Sequence, residues 1–256
     1  MNSPHRIVAI IQARMASSRL PGKVLMDIHG WPMLVWVVVR AKQAQTIDEV
    51  VVATSTDSAD DPIASACQRW EIPVFRGAHF DVLDRYFQAA KTFSADVIVR
   101  LTADCPLIDP GVIDATVRAF LNKGVDFAAN RLPPPWKRTY PIGLDVEVCT
   151  FAALEKAWQE AKETFEREHV MPYLYDEEGR FSVFIVNHKP DYGSHRWTVD
   201  TKEDLDFVRK VIKHLESRKN FSWHEVLALL EEKPALAQIN KAVKAKQTQD
   251  VDDKLQ

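Results

Sequence analysis

The chain has 256 residues, 46% hydrophobic and 27% charged, with 33 Lys plus Arg against 36 Asp plus Glu and a net charge of −3. This fits one globular domain, or one with a small appendage, and argues against a nucleic-acid binder that works by bulk charge. The longest apolar run, Met33 to Val39, is too short to span a bilayer. Cys67, Cys105 and Cys149 lack metal-ligand spacing, and the first residues lack the apolar core of a secretory leader, so a reducing, cytoplasmic setting is expected.

Apolar runs and helical patterns alternate through the first half. Arg6 to Ile11 is β-branched and reads as a buried strand. Pro32 to Ala44 reads as a helix with proline in its first turn. Glu49–Thr54 is a second strand, Ser58–Trp70 a helix, and Pro73–Phe75 a short third strand. Asp81–Thr92 is helical, with Val82, Leu83, Tyr86, Phe87 and Ala90 on one face. Asp96–Leu101 is a fourth strand and Pro110–Asn122 a fourth helix. This alternation predicts a mainly parallel sheet with helices on both faces, an α/β fold.

The pattern changes after Gly124. Three prolines at 133–135 mark a loop. Leu144–Val148 alternates as a half-buried strand, and helices are expected over 151–162 and 166–175. Arg180–Asn187 alternates again, and Trp197–Asp200 reads as a short strand. Thr201 to Asp204 has the Thr-x-x-Asp form of a helix start, with helices near 202–217 and 222–232. From about Val243 the polar composition predicts a frayed tail over 241–256, leaving 1–240 as a single domain with halves 6–125 and 126–240.

The segment after the first strand, Gln12 to Lys23, carries Arg14, Arg19 and Lys23 and no acid. It falls at the carboxyl edge of the predicted sheet, where open α/β sheets bind ligands. Arg grips phosphate as a fork and Lys as a point charge, and small residues such as Ala13 let backbone N–H groups approach an anion. A Walker-type loop is absent: Ser17 stands where the first glycine belongs, and Val24 follows the lysine. The plainer reading is a solvated cationic loop.

Ile10-Ile11-Gln12-Ala13-Arg14-Met15 followed by Ser18 to Leu25 resembles the opening of the cytidylyltransferases that activate acidic sugars. It is nearest the spore-coat polysaccharide SpsF-like branch, and related to the CMP-sialic acid and CMP-ketodeoxyoctonate synthetases. The resemblance continues through Phe75-Arg76-Gly77, Asp81–Tyr86, Arg100–Pro110, Tyr140–Glu147, Arg167–Val170 and Arg196–Asp200, in order, over about residues 6–240. It implies a Rossmann-like fold of the nucleotide-diphospho-sugar transferase type, with a small antiparallel acceptor and dimerisation region. It also implies CTP as donor, Mg²⁺ as cofactor, and a homodimer. Asp104 and Asp200 end predicted strands, and Mg²⁺ takes one or two carboxylates plus phosphate and water. The resemblance implies that they are the metal ligands. The plainer readings are a turn residue before Pro106 and a helix N-cap.

The remaining candidates divide between the two halves. Gln12, Ala13, Ser55, Arg85, Arg100 and Thr102 are expected around the nucleotide; Arg100 points either to the base or to a carboxylate. Asp57 reads as a cap of the following helix. Arg138, Asp145, Glu147, Arg167, His169, His195 and Arg196 supply the polar groups of an acceptor site, each with the alternative of a solvated surface charge. Cys105 and Cys149 read as inert packing residues. Ile142 and the proline loop depart from the family pattern and leave the acceptor's identity open. The expected reaction is CMP transfer from CTP to an acidic sugar or related acid, with pyrophosphate released, and no nucleic-acid or membrane partner. The alternatives are a GT-A-type glycosyltransferase, for which Asp145-Val146-Glu147 would be the metal motif, and a noncatalytic scaffold.

Overall fold

A computed structural model describes residues 5–133 and 136–244. Pro134, Pro135 and the expected tail from 245 onward lie outside the described residues. The first strand, β1 (Ile7–Gln12), has Val8, Ala9, Ile10 and Ile11 with no solvent exposure, as a strand covered on both faces requires. A small hairpin, β2 (Asp27–Ile28) and β3 (Trp31–Pro32), then precedes helix α1 (Met33–Ala41). It turns at His29 and Gly30, both with positive φ, which matches the right-handed twist of paired strands. The sequence pattern predicts no strand there.

The first half continues with β4 (Glu49–Ser55), α2 (Asp61–Arg69), β5 (Val74–Gly77), α3 (Val82–Thr92), β6 (Val97–Thr102) and α4 (Pro110–Lys123), close to expectation. Asp57, Asp81 and Asp109 each cap the turn or helix that follows. The second half gives β7 (Phe127–Ala129), β8 (Glu147–Thr150), α5 (Phe151–Glu160), α6 (Thr164–His169), α7 (Pro172–Tyr175), β9 (Val183–Ile185), α8 (Lys202–His214) and α9 (Trp223–Glu232).

Several boundaries differ from expectation: α1 is shorter at both ends than 32–44, and the strand expected over 180–187 is only Val183–Ile185. The strand expected over 144–148 begins at Glu147. The helix expected over 166–175 breaks at Val170, whose φ is 71°, and restarts at Pro172, which has no N–H to continue the ladder. Trp197–Asp200 joins no ladder: a single bridge pairs Arg196 with Ile142, and the Val199 N–H donates to the Asp104 carbonyl. Helix α8 ends before Glu216 and Ser217, which both take positive φ.

One sheet of order β5-β4-β1-β6-β8-β7-β9 spans both halves. All its pairings are parallel except those of β8, which runs antiparallel between β6 and β7. Alternate residues of β1 supply opposite faces. Ile7, Ala9 and Ile11 pack with α1, α2, α4, α8 and α9, whereas Val8 and Ile10 pack with α3, α5 and α7. Among the described residues no helix is long and apolar enough to cross a membrane.

Candidate active site

The carboxyl ends of β1 and β6, adjacent in the sheet, open on one cleft. Its floor is Gln12, Ala13, Thr102 and Asp104; its walls are the loop from Arg14 to Lys23, the start of α3 with Arg85, the end of α6 with Glu168 and His169, and Asp200. The loop is fixed from below. The Ala13 N–H donates to Ala53 O, the Met15 N–H to buried Asp60, and the Gly22 N–H returns to Met15 O at 2.8 Å. Gly22 takes φ 70°, which turns the chain into a short 3₁₀ stretch that begins at Lys23.

Lys23 is buried and holds the centre. Its Nζ donates to Asp104 Oδ2 at 2.7 Å, Val199 O at 2.8 Å and Asp200 Oδ1 at 2.9 Å. Burial opposes the charge of each group, but mutual attraction prevails. The Lys23 pKa is raised, the Asp104 pKa is lowered by Lys23, and Lys23, Arg196 and Arg19 hold Asp200 at about 2. Arg19 Nη2 lies 2.8 Å from Asp200 Oδ2, and its Nη1 donates to Lys244 O at 3.1 Å. Lys244 therefore belongs to the site's surroundings, where sequence reading expected fraying.

Asp200 is not the helix cap. Thr201 caps α8 with Asp204 completing the box, as the Thr-x-x-Asp spacing predicts. That frees Asp200 to point at Lys23, Arg19 and Arg196. Asp204 has no exposure. It accepts from Arg196 Nε at 2.9 Å, from the Asp200 N–H at 3.0 Å and from Asn240 Nδ2 at 2.9 Å. Arg196 in turn donates to Asp200 Oδ2 at 2.7 Å. Asp204 and Asn240 thus brace Asp200; the sequence marks Asp204 only as part of a helix start and does not mark Asn240.

Arg85 is 2% exposed and donates from Nη1 to Ala78 O at 2.6 Å. Its Nε has no hydrogen-bond partner among the described residues, and burial lowers its pKa. A buried guanidinium on a cleft wall with a spare donor suits an anionic or carbonyl-bearing ligand. His79 also lines the cleft, with Nδ1 3.1 Å from Ser55 Oγ. Ser55 itself donates to Asp60 at 2.5 Å, and so orders the loop from behind the cleft wall.

Other expected site residues meet partners elsewhere. Arg100 takes the carboxylate alternative: it pairs with Glu147, its register partner on β8, and donates to Gln12 Oε1 at 3.1 Å. Arg138 forks onto Asp145. Arg167 forks onto Asp81 and donates to Trp158 O at 2.6 Å, which ties α6 to α3. Arg167 thus faces away from the cleft, while its neighbours Glu168 and His169 line it. His195 and Arg196 border a second cavity, of about 340 Å³, with Trp197, Phe207 and Asn240. Asp145 and Glu147, the metal motif of the glycosyltransferase alternative, are each paired with a different arginine, Arg138 and Arg100. Burial raises the Cys105 and Cys149 thiol pKa values, so neither is a nucleophile at neutral pH.

A family model described as cytidylyltransferase matches residues 8–248. The spore coat polysaccharide biosynthesis protein SpsF of Bacillus subtilis is 31% identical over 244 residues, 90% of this chain and 96% of that one. A 3-deoxy-manno-octulosonate cytidylyltransferase of Rhizobium etli is 40% identical over 124 residues, about half of each chain (47% and 48%). A solved cytidylyltransferase of Leptospira borgpetersenii superposes with a TM-score of 0.86 at 33% identity, covering 94% of this chain and 100% of that one.

Proposed function

Since the chain belongs to the cytidylyltransferase family, a CTP-dependent group of nucleotidyltransferases, we propose that it transfers CMP to an acidic sugar, or a closely related hydroxylated acid, in polysaccharide assembly. The observation that carries this reading is the convergence of Lys23, Arg19, Arg14 and Arg85 with Asp104 and Asp200 on one cleft at the carboxyl sheet edge. The acceptor class is supported by the relatives SpsF and 3-deoxy-manno-octulosonate cytidylyltransferase. We further propose that the reaction is cytoplasmic, that the enzyme is a homodimer, and that 1–240 acts as one domain.

The oxygens of Asp104 and Asp200 already converge on one cation, the Lys23 ammonium. Two hard oxygen donors at one point, with the remaining positions left to phosphate and water, fit Mg²⁺. When bound there it would neutralise charge on the phosphate oxygens. Arg14, Arg19 and Lys23 bind the triphosphate. Gln12, Ala13, Arg85 and Thr102 surround the nucleoside, and Glu168 and His169 face the acceptor. An acceptor oxygen attacks the α-phosphorus in line, its new O–P bond replacing the bond to the β-phosphate oxygen. Pyrophosphate leaves carrying the electron pair, and the acceptor proton passes to solvent. The residues contribute position and charge rather than covalent chemistry.

The test is pyrophosphate release from CTP with a panel of acidic sugars. Turnover is expected with CTP and not with ATP, GTP or UTP. Lys23→Ala and Asp104→Asn are each expected to lower kcat/KM by a factor of ~100 or more, in line with removal of a phosphate-directed charge. Near-normal turnover in both variants would refute the assignment.

A further inference from the structure

Lys23 and a divalent cation compete for the same oxygens. The ammonium's three protons go to Asp104, Asp200 and the Val199 carbonyl, which uses its whole donor set inside the protein. Mg²⁺ binds oxygen at about 2.0–2.1 Å. An ion bonded to those two carboxylate oxygens would sit against the ammonium, like charge on like charge, in a part-buried setting where screening is reduced.

Charge balance points the same way. Asp104, Asp200 and Asp204 face Lys23, Arg19 and Arg196, three carboxylates against three cations. A divalent ion entering alone would leave a surplus of two positive charges. Among the described residues no group of three or more His, Cys, Asp or Glu could hold it by protein ligands alone. A triphosphate supplies both the missing negative charge and the missing oxygen ligands. It also offers Lys23 and Arg19 a new acceptor. Lysine's four-carbon stem can make that move by side-chain rotation.

We propose that Lys23 is the internal counter-ion of Asp104 and Asp200: it holds the two carboxylates together until a triphosphate draws it away, so divalent metal enters only with nucleotide. This rests on the phosphate and metal roles proposed above. Metal and nucleotide binding are then mutually reinforcing, and the coupling is stored in the lysine.

The experiment titrates Mn²⁺ into the full chain without nucleotide, with the electron paramagnetic resonance signal of free Mn²⁺ as readout, for the wild type, Lys23→Met and Lys23→Gln. The variants should bind Mn²⁺ more tightly than the wild type, on the order of tenfold or more. Adding Asp104→Asn to Lys23→Met should abolish the gain. Mg²⁺ alone should raise the Tm of the variants and leave that of the wild type unchanged. Equal Mn²⁺ affinity in wild type and variants would overturn the exchange, even where the wild-type Mn²⁺–CTP complex still requires Asp104 and Asp200. If that ternary complex ignores Asp104→Asn and Asp200→Asn, the metal assignment itself falls. Should the variants not fold, the wild type still decides: Mn²⁺ must bind protein–CTP more tightly than it binds CTP in solution, and protein alone more weakly than either. Binding to protein alone as tight as to protein–CTP would overturn the proposal.

Discussion

Arg40 has no solvent exposure, yet it is charged. Its guanidinium donates to the carbonyls of Ile108, Lys219 and Phe221 and stacks 3.7 Å from the centre of the Phe221 ring. Burial lowers its pKa to about 10, still well above neutrality. Arg40→Met would keep much of the volume and strand three carbonyls. Its expected cost is about 3 kcal/mol, read as a lowered urea midpoint at unchanged m. His195 makes a second residue-scale case. Burial lowers its pKa below 6.5. The unfolded chain therefore binds a proton before the folded one, and stability falls as pH drops through the unfolded value. His195→Gln should flatten the decline of Tm between pH 7 and 5, and an unchanged slope would show that His195 takes up its proton equally in the folded and unfolded states. Lys23 and Asp104 were legible at the cleft because they follow the ends of β1 and β6, and these strand ends share an edge; Asp200 was legible through the family resemblance, since 197–200 forms no strand. Arg100 and Glu147 were not assignable. Their pairing depends on the antiparallel register of β8, which residue spacing along either strand does not encode.

At the scale of elements, the site depends on how α6 and the 197–200 segment are held. The Arg167–Asp81 fork fastens α6, with Glu168 and His169, to the cap of α3. Arg167→Ala should cost about 1–3 kcal/mol for a lost charge-assisted pair and raise the acceptor KM more than the CTP KM. Equal rises would mean that α6 also serves the nucleotide. Adjacent helical residues point about 100° apart, so the motif Arg167-Glu168-His169 could not put all three side chains on one target. Of the two members expected at the acceptor, His169 lines the cleft and Arg167 turns to Asp81. Gly143 controls the other wall. It takes φ 105°, and a Cβ there would meet Thr198 N at 2.6 Å and Trp197 C at 2.7 Å. Both contacts are backbone, so neither can yield cheaply. Gly143→Ala should shift the segment that carries Asp200. It is expected to lower stability by roughly 2 kcal/mol or more and, unlike Arg167→Ala, to weaken Mg²⁺-dependent CTP binding, measurable by calorimetry.

For the whole molecule, β8 is the decisive strand. It reverses direction between β6 of the first half and β7 of the second, and so stitches both halves into one hydrogen-bonded sheet. Continuous cores on both sheet faces mix residues from the two halves. Unfolding should therefore be a single transition. Tryptophan fluorescence from variants that keep only Trp36 or only Trp197 should give the same midpoint as circular dichroism, and two midpoints would mean the halves melt separately. The parallel half was readable because buried β-branched runs alternating with amphipathic helices admit few topologies. The second half was harder, since β7, β8 and β9 are three or four residues long and half of β9's neighbourhood is solvent. Such short strands are set by the sheet they join rather than by their own pattern.

Lys23 reaches Asp200 and Arg19 reaches Lys244, so an early loop is completed by the far end of the chain. A polypeptide leaving the ribosome exposes Arg19 and Lys23 long before it exposes Asp200, the acid that both of them meet. Through most of its synthesis the loop is a loose cationic strip, and the cleft closes only after the last helices emerge. Nascent and prematurely terminated chains would then be unable to consume CTP, because they lack the segment that makes the cluster neutral.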